Sequence, residues 1–276
     1  MTRGVDRVTK TPLRVGLAGV GAVGTTVARK LLEGIDGLTL AAISVRDEAK
    51  ARAALPGYDG PVLSVDEIGP ACDVVVECLP PAMFAAVARS VLGAGGIFMP
   101  LSVGQLLTHW DLVETGTAAG ARVIAPTGAL LGLDAVRAAA EGNIESVTMT
   151  TRKPPRGLKG APYLEAHGID VEAFTEPTCV YRGSVREAAK GFPANLNVAA
   201  ALSLAGIGPD RTMLEVFADP TVSRNIHSIA VEADSARFSM TIENLPSAEN
   251  PRTGRITALS TIAALRSLTA PVKIGT

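Results

Sequence analysis

Residues 13–24 read LRVGLAGVGAVG, an unbroken apolar run that leads directly into three spaced glycines. Apolar residues recur at helical spacing over residues 27–32, which puts the glycines at a strand-to-helix turn. In such a turn Gly19 permits the tight bend, Gly21 lets backbone N–H groups approach a pyrophosphate, and Gly24 lets the helix pack closely on the strand. The chain has 28 glycines, so the spacing alone is weak, but its place between a strand and a helix predicts dinucleotide binding.

The amides that would receive the phosphates belong to the start of the helix. Ala22 and Val23 follow Gly21 there. Unpaired backbone N–H groups and the helix dipole favour an anion at a helix N-terminus. We therefore predict that the cofactor contacts include Ala22 and Val23 as well as the three glycines.

The composition limits the kinds of partner. The chain has 276 residues, 47% of them hydrophobic, which is enough for the cores of two ordinary domains. Lys and Arg number 26 against 27 for Asp and Glu, without a basic run, which argues against nucleic acid and for a small molecule. The three cysteines match neither a disulfide set nor a metal pattern, so we expect a reducing cytoplasm and no metal.

No apolar run is long enough to cross a bilayer, and residues 1–14 lack the apolar core of a signal peptide. These observations predict an unexported, soluble protein with a frayed N-terminus and no membrane partner.

The first half alternates between strand and helix patterns, which is typical of a doubly wound parallel sheet, the Rossmann fold. After the opening strand and helix, predicted strands cover 38–45, 73–78, 96–101 and 122–125, and predicted helices cover 81–92 and 105–119. We assign residues 1–127 to this dinucleotide-binding domain. A ligand of such a sheet lies beyond the carboxyl ends of the strands. The predicted cofactor contacts there are Ser44, Leu79, Pro80 and Ser102.

The second half changes character, because alternating apolar and polar residues predict strands with few helices between them. These predicted strands cover 144–151, 178–181, 212–217, 226–231 and 237–242. The pattern is typical of a mixed or antiparallel sheet, which we assign to a substrate-binding α+β domain of residues 128–250. One helix is expected after Asp134 and another over 195–205. The pair Asn250-Pro251 marks a break, and a helix over 257–268, in the segment 251–276, is predicted to pack back on the first domain.

The choice between NAD and NADP falls on residues 44–47, about twenty positions beyond the glycines. Ser44 and Arg46 suit the 2′-phosphate of NADP, whereas Asp47 could hold the ribose 2′-hydroxyl of NAD if the strand ends one residue later. Arg46 could equally be a solvated surface charge. We expect NAD or NADP as cofactor, with NADP at least tolerated.

Several short segments stand in a shared order and spacing. They are 126–129 (PTGA), 151–155 (TRKPP), 192–200 (FPANLNVAA), 219–220 (DP), 225–227 (NIH) and 244–251 (NLPSAENP). Together with the glycine turn they resemble the L-aspartate dehydrogenase family over nearly the whole chain. The resemblance implies that His227 is the catalytic acid/base and that Asn197 and Ala129 contact the cofactor. Thr127 stands where serine is more frequent, a difference that keeps a hydroxyl.

The resemblance also implies the reaction, which is oxidation of L-aspartate at Cα by NAD or NADP to iminoaspartate. Water then converts iminoaspartate to oxaloacetate and ammonia. The same site could supply iminoaspartate to NAD biosynthesis or run backwards as a reductive amination.

A sheet with an open face or edge is commonly covered by a second copy, so we expect a homodimer.

From residue chemistry alone, His227 could be an ordinary core or surface histidine, although imidazole suits proton transfer near neutrality. The other two histidines, His109 and His167, have the setting of packing or surface residues. Asn197 could instead cap a helix, but Asn195 is better placed for that role.

A dicarboxylic substrate needs cationic or amide donors, because a buried carboxylate without partners is costly. The candidates are Arg152, Lys153, Asn225 and Asn244. Since two prolines follow Lys153, the Arg152-Lys153 pair could equally form an exposed charged turn.

Two other functions remain open on the sequence. The chain could be another two-domain reductase, such as a homoserine dehydrogenase or a dihydrodipicolinate reductase, since fold and cofactor do not determine the substrate. It could also be a non-catalytic dinucleotide sensor, which would bind cofactor without turning over any amino acid.

Overall fold

The computed structural model describes residues 11–193, 196–247 and 254–275, and these residues build two five-stranded sheets. The strands of the first sheet are β1 (Leu13–Ala18), β2 (Leu38–Ser44), β3 (Val74–Glu77), β4 (Ile97–Pro100) and β5 (Arg122–Val123). They lie in the order β2-β1-β3-β4-β5, and every neighbouring pair is parallel. This confirms the predicted Rossmann-like sheet.

A further position extends this sheet beyond β2. Val62 forms a single parallel bridge to Ile43, and the N–H of Leu63 donates to the Ile43 carbonyl at 2.8 Å. Counting Val62 as a third strand in chain order gives 3-2-1-4-5-6, the order of a dinucleotide-binding sheet. The third strand is therefore present but reduced to one bridge.

The connections of the first sheet are mostly helical. The helices are α1 (Ala22–Glu33), α2 (Glu48–Ala54), α3 (Val65–Ala71), α4 (Phe84–Gly93) and α5 (Trp110–Ala118). The prediction of one continuous helix over 105–119 is wrong, because a 3₁₀ turn (Val103–Leu107) precedes α5. In that turn the N–H of Gly104 donates to the side chain of Asn197 at 3.0 Å. A contact with a residue far along the chain is invisible to a local helical pattern.

The second sheet is mixed. Its strands are β6 (Ile144–Lys153), β7 (Thr178–Ser184), β8 (Thr212–Ala218), β9 (Asn225–Ala233) and β10 (Arg237–Asn244), in the order β10-β9-β6-β8-β7. The β6–β8 pair is parallel and the other neighbouring pairs are antiparallel. In the described part of the second half, the helices beside the sheet are α6 (Leu133–Ala140), α7 (Pro162–Ala166), α8 (Val185–Gly191) and α9 (Asn197–Ala205).

Two of those helices, α7 and α8, escaped the sequence analysis because they have only five and seven residues. For α8 a local signal exists: Ser184 and Glu187 form a capping box at its start. The helix predicted over 195–205 begins at Asn197 in the described part. Asn195, the expected cap, lies outside the described residues, as does the Asn250-Pro251 pair.

The C-terminal helix α10 (Ile256–Ser267) packs on the first domain as predicted. Ile262 and Leu265 belong to the same buried cluster as Val27 and Leu31 of α1. The apolar face of α10 is therefore buried by the first sheet and its first helix. Among the described residues, no helix combines the length and apolarity that crossing a bilayer requires.

Candidate active site

In the turn between β1 and α1, close packing requires glycine at two of the three glycine positions. Gly19 has a φ of +107°, and a Cβ there would lie 2.7 Å from the carbonyl oxygen of Cys78. A Cβ on Gly24 would lie 2.1 Å from the carbonyl oxygen of Gly19. No side chain fits at either position.

Gly21 differs from the other two glycines because a Cβ there would meet no atom within 4 Å. Gly21 is also the N-cap of α1, whose first turn holds Ala22 and Val23 and no acidic residue. The N–H groups of a first turn have no partner inside the helix. Open space in front of such a turn fits the pyrophosphate of a dinucleotide.

An open cleft of about 690 Å³ adjoins this turn. Its wall includes Gly19, Gly21, Arg46, Lys50, Leu79 and Pro80. The sequence analysis predicted all of these except Lys50, which lies one helical turn beyond Arg46. Two cations therefore flank the end of the cleft next to β2, and within the described part of the chain neither forms an ion pair.

Ser44 and Asp47 differ in exposure, because Asp47 lies on the cleft wall and Ser44 does not. Ser44 is buried, and its carbonyl accepts from the N–H of Gly19 at 2.9 Å. The Asp47 carboxylate caps α2 by accepting from the N–H of Lys50 at 2.9 Å. Arg46 and Asp47 are both exposed at the cleft, and one oxygen of the Asp47 carboxylate is engaged in the cap.

Ser102 is tied to a buried carboxylate rather than exposed in the cleft. Its N–H donates to Glu77 at 3.0 Å and its hydroxyl donates to Glu77 at 3.2 Å. The Glu77 carboxylate also accepts a hydrogen bond from the N–H of Leu79 at 3.0 Å. The sequence analysis treated Glu77 only as part of a buried strand, although an acidic residue in the run VVVE was a signal for this role.

A second cavity of about 140 Å³ lies where the two sheets approach each other. Pro100 and Leu101 of the first sheet line one side. The residues from the second half that line it and were predicted from the sequence are Ala129, Lys153, Asn197, Asn225, His227 and Asn244. The structure thus brings together side chains that span more than a hundred positions of the chain.

The sheet register explains why the polar side chains meet. β6 and β10 both run antiparallel to β9, so their last residues, Lys153 and Asn244, lie beside the start of β9. Asn244 pairs directly with Asn225. Side chains two apart on a strand share a face, so His227 projects to the same side as Asn225.

Thr151 holds the ring of His227. The two residues are paired across β6 and β9, and the Thr151 hydroxyl is in hydrogen-bond contact with Nδ1 of His227. Both residues are buried, with 3% and 4% exposure respectively. Thr151 was missed in the sequence analysis, although it lies two positions before Lys153 and therefore on the same face of β6.

Burial keeps His227 uncharged. Burial and, to a smaller extent, the positive charge of Lys153 together lower the pKa of His227 to about 3. Lys153 is itself 6% exposed, and burial lowers its pKa to about 8. Near neutral pH the cavity therefore contains a neutral imidazole next to a mostly protonated ammonium group.

Two asparagine amides in the cavity wall are oriented by the backbone. The Oδ1 of Asn197 accepts from the N–H of Gly104, which leaves the Nδ2 group as its donor. The Nδ2 of Asn244 donates to the Ala129 carbonyl at 3.0 Å. Its Oδ1 is buried and has no hydrogen-bond partner among the described residues. One asparagine therefore offers a donor and the other an acceptor.

Arg152 does not line this cavity. Its guanidinium donates to Asp219 at 2.8 Å, and Asp219 is fully buried. Asp219 also accepts from the N–H of Thr221 at 2.9 Å. Arg152 thus joins the end of β6 to the loop between β8 and β9, and its role in substrate binding remains a prediction.

The other two histidines do not line the cavity, and of the three cysteines Cys78 lines the cleft at the glycine turn. His109 stacks on Phe84, and His167 is exposed and stacks on Tyr163. Cys72, Cys78 and Cys179 are free thiols, and Cys179 is exposed. Within the part of the chain that the structure describes, no cluster of His, Cys, Asp and Glu side chains has the arrangement of a metal site.

Comparison with known proteins matches both halves of the chain. Residues 134–268 match a family model described as the C-terminal part of aspartate dehydrogenase. Residues 19–126 match one described as the NAD-binding domain of homoserine dehydrogenase. The second description concerns the cofactor domain, which dehydrogenases of different substrates share.

Full-length relatives are similar throughout. The chain is 55% identical to an L-aspartate dehydrogenase of Bradyrhizobium diazoefficiens, over 98% of this chain and 97% of that one. It is 51% identical to L-aspartate dehydrogenase 3 of Bordetella bronchiseptica, over 96% and 98% of the two chains. The fold is similar to that of aspartate dehydrogenase from Thermotoga maritima, with a TM-score of 0.68 at 24% identity, covering 95% and 99% of the chains.

Proposed function

Because this chain belongs to the L-aspartate dehydrogenase family, we propose that it oxidises L-aspartate at Cα with NAD or NADP. The products are iminoaspartate, the reduced cofactor and a proton, and water then converts iminoaspartate to oxaloacetate and ammonia. The observation that carries the proposal is that His227 and Lys153 are both buried and both line the same cavity between the two sheets.

In this proposal residues 1–127 bind the cofactor, residues 128–250 bind the substrate, and residues 251–276 pack back on the first domain. When bound, NAD(P) supplies the hydride acceptor, a chemistry that belongs to the cofactor. The chain anchors its pyrophosphate at the N-terminus of α1 and its adenosine end in the cleft beside Arg46. The open space at Gly21 supports this assignment.

His227 accepts the proton that the substrate's ammonium group must lose before hydride can leave Cα. Burial keeps His227 neutral in the free enzyme, and the carboxylates of a bound substrate would raise its pKa towards the range in which an imidazole is an effective base. Thr151 can serve the Nδ1 atom in either protonation state, because a hydroxyl both donates and accepts hydrogen bonds. The same imidazole can then assist the attack of water on the imine.

Lys153 binds a substrate carboxylate. Its ammonium group is mostly protonated near neutral pH, since its pKa lies at about 8. Asn225 and the Nδ2 of Asn197 are further donors at the cavity wall, and the buried Oδ1 of Asn244 suits an N–H of the substrate or cofactor. The wall thus offers cationic and amide donors for carboxylates and acceptors for an amine.

Cofactor preference is proposed to include NADP. Arg46, Asp47 and Lys50 all line the cleft beside β2, and one oxygen of the Asp47 carboxylate caps α2. Arginine and lysine at this position accommodate a 2′-phosphate.

The replacement His227→Asn tests the catalytic assignment. It should reduce kcat by at least about 100-fold, the usual contribution of a general acid/base, and leave the Kd of the cofactor nearly unchanged. Steady-state kinetics and cofactor fluorescence measure the two quantities. Near-normal turnover would remove His227 from the mechanism.

A substrate panel tests the reaction. L-aspartate, D-aspartate, glutamate and homoserine should each be supplied with NAD and with NADP, and only L-aspartate should give rapid reduction. Faster turnover of homoserine would favour the enzyme class named by the match to the first domain. Cofactor binding without any turnover would favour a sensor.

Two further proposals concern location and assembly. Three free thiols suit the reducing cytoplasm. A homodimer would cover the face of the second sheet that carries Met213, which is 38% exposed, and the half-buried Phe217 and Ile226. Light scattering during gel filtration measures the mass directly, and a monomer at micromolar concentration would refute the dimer.

A further inference from the structure

Glu77 is a fully buried acidic residue that the proposed reaction does not use. It is the last residue of β3 and has 0% exposure. Its carboxylate accepts three hydrogen bonds, one from Leu79 and two from Ser102, at 3.0 to 3.2 Å. Among the described residues no cation is paired with it.

The hydrogen bonds fit the ionised form of Glu77. Two of the three donors are backbone N–H groups, one on each carboxylate oxygen, and an N–H cannot accept a hydrogen bond. Burial raises the pKa of the Glu77 carboxyl, while the bonds from Ser102 and Leu79 oppose that rise. A satisfied carboxylate therefore lies inside the protein with its charge unneutralised by any cation of the described chain.

Glu77 connects the two loops along which a bound dinucleotide must pass. Leu79 follows β3 and lines the cleft next to the glycine turn. Leu101 precedes Ser102 at the end of β4 and lines the cavity that contains His227. A cofactor held at Gly21 and reacting next to His227 must cross the ends of both strands. Its nicotinamide end therefore comes close to the loop that Glu77 holds.

We infer that Glu77 is a positioning residue that holds these two loops together through its hydrogen bonds. We also infer that its buried negative charge strengthens binding of the oxidised cofactor relative to the reduced one. The oxidised nicotinamide ring carries a positive charge and the reduced ring does not. A fixed negative charge therefore stabilises the first form selectively, and weak screening in a buried site preserves the effect. This inference rests on the cofactor role proposed above.

Two variants separate the charge of Glu77 from its reach. Glu77→Gln keeps the shape of the side chain and removes the charge, whereas Glu77→Asp keeps the charge and shortens the side chain. The Kd values of NAD⁺, NADH, NADP⁺ and NADPH are measured by calorimetry on the full chain without aspartate. Thermal unfolding of each variant monitors folding.

Glu77→Gln should raise the ratio of the oxidised to the reduced Kd on the order of tenfold. Glu77→Asp should weaken both forms and keep the ratio within about twofold, because the charge remains. The matched control is Asp73→Asn, which removes the acidic side chain that immediately precedes the same strand. Asp73 is partly exposed and is paired with Arg14 at 2.8 Å, so this change should leave the ratio unaltered.

The charge effect would be overturned if Glu77→Gln weakened binding of the oxidised and the reduced cofactor equally. It would also be overturned if Asp73→Asn changed the ratio of the two Kd values as much as Glu77→Gln does. Unchanged Kd values in both Glu77 variants would overturn the positioning role of Glu77. If the variants change the Kd ratios as predicted but the wild type does not turn over L-aspartate, the proposed reaction is refuted and this inference stands. A chain that binds neither cofactor form would refute both.

Discussion

The buried, neutral state of His227 makes the stability of this protein depend on pH in a way that one substitution should remove. Burial and Lys153 lower the pKa of His227 to about 3, against an ordinary value of about 6.5. Below pH 6.5 the unfolded chain therefore binds a proton that the folded chain does not. Stability from this group is complete above pH 6.5 and decreases as the pH falls towards 3.

The magnitude follows from the two pKa values. Between pH 7 and pH 5 the proton binding of the unfolded histidine alone should cost about 2 kcal/mol of unfolding free energy. Other groups titrate in the same range, so the quantity to measure is a difference. Urea unfolding of wild type and His227→Asn at pH 7, 6 and 5 should show the wild type losing about 2 kcal/mol more than the variant.

A second variant separates the two causes of the shift. Lys153→Met removes the neighbouring charge but keeps the imidazole buried. Because burial is the larger cause, the pKa of His227 should rise but stay below about 5, and the extra loss between pH 7 and pH 5 should fall by no more than about 0.4 kcal/mol. Imidazole resonances of His227 followed by NMR provide the pKa directly. The reasoning would be falsified if the difference in unfolding free energy between wild type and His227→Asn stays constant from pH 7 to pH 5. An imidazole that titrates near pH 6.5 would falsify it as well.

The other predictions concern the two ends of the bound ligands. Lys153→Ala should raise the KM for L-aspartate about 10- to 100-fold and the KM for the cofactor much less, because it removes a charged hydrogen bond to a carboxylate; equal changes in both constants would show a general loss of structure. Arg46→Ala should raise the KM for NADP at least about 5-fold and leave the KM for NAD nearly unchanged, with Lys50→Ala adding to the effect. Cofactor-varied kinetics measure this selectivity, and a wild type that uses NAD alone would remove Arg46 from the argument.

The fold was largely predictable because its signals are local. The glycine turn, the apolar strands of the first half and the alternating strands of the second half all repeat at the spacing of a single element. The errors fall where tertiary contacts act on short segments. The turn before α5 is one case, since the Gly104 amide bonds to Asn197, 93 positions away.

The candidate site was only partly predictable. The family resemblance named His227, Asn197 and Ala129, and the residues named as possible substrate contacts include Lys153 in the same cavity. No local pattern identified Thr151, whose partner His227 lies 76 positions further along the chain. Arg152 and Lys153 illustrate the same limit, because adjacent residues of a strand face opposite sides and only the folded sheet decides which side is the cavity.

The sequence by itself determined the dinucleotide-binding turn, the two kinds of sheet and the family, since these depend on neighbours along the chain. Only the tertiary structure decided the protonation of His227 and Lys153 and the partners of Glu77 and Asn244. The physical reason is that pKa values and hydrogen bonds depend on burial and on side chains from distant strands. Those surroundings exist only after the two sheets have packed together.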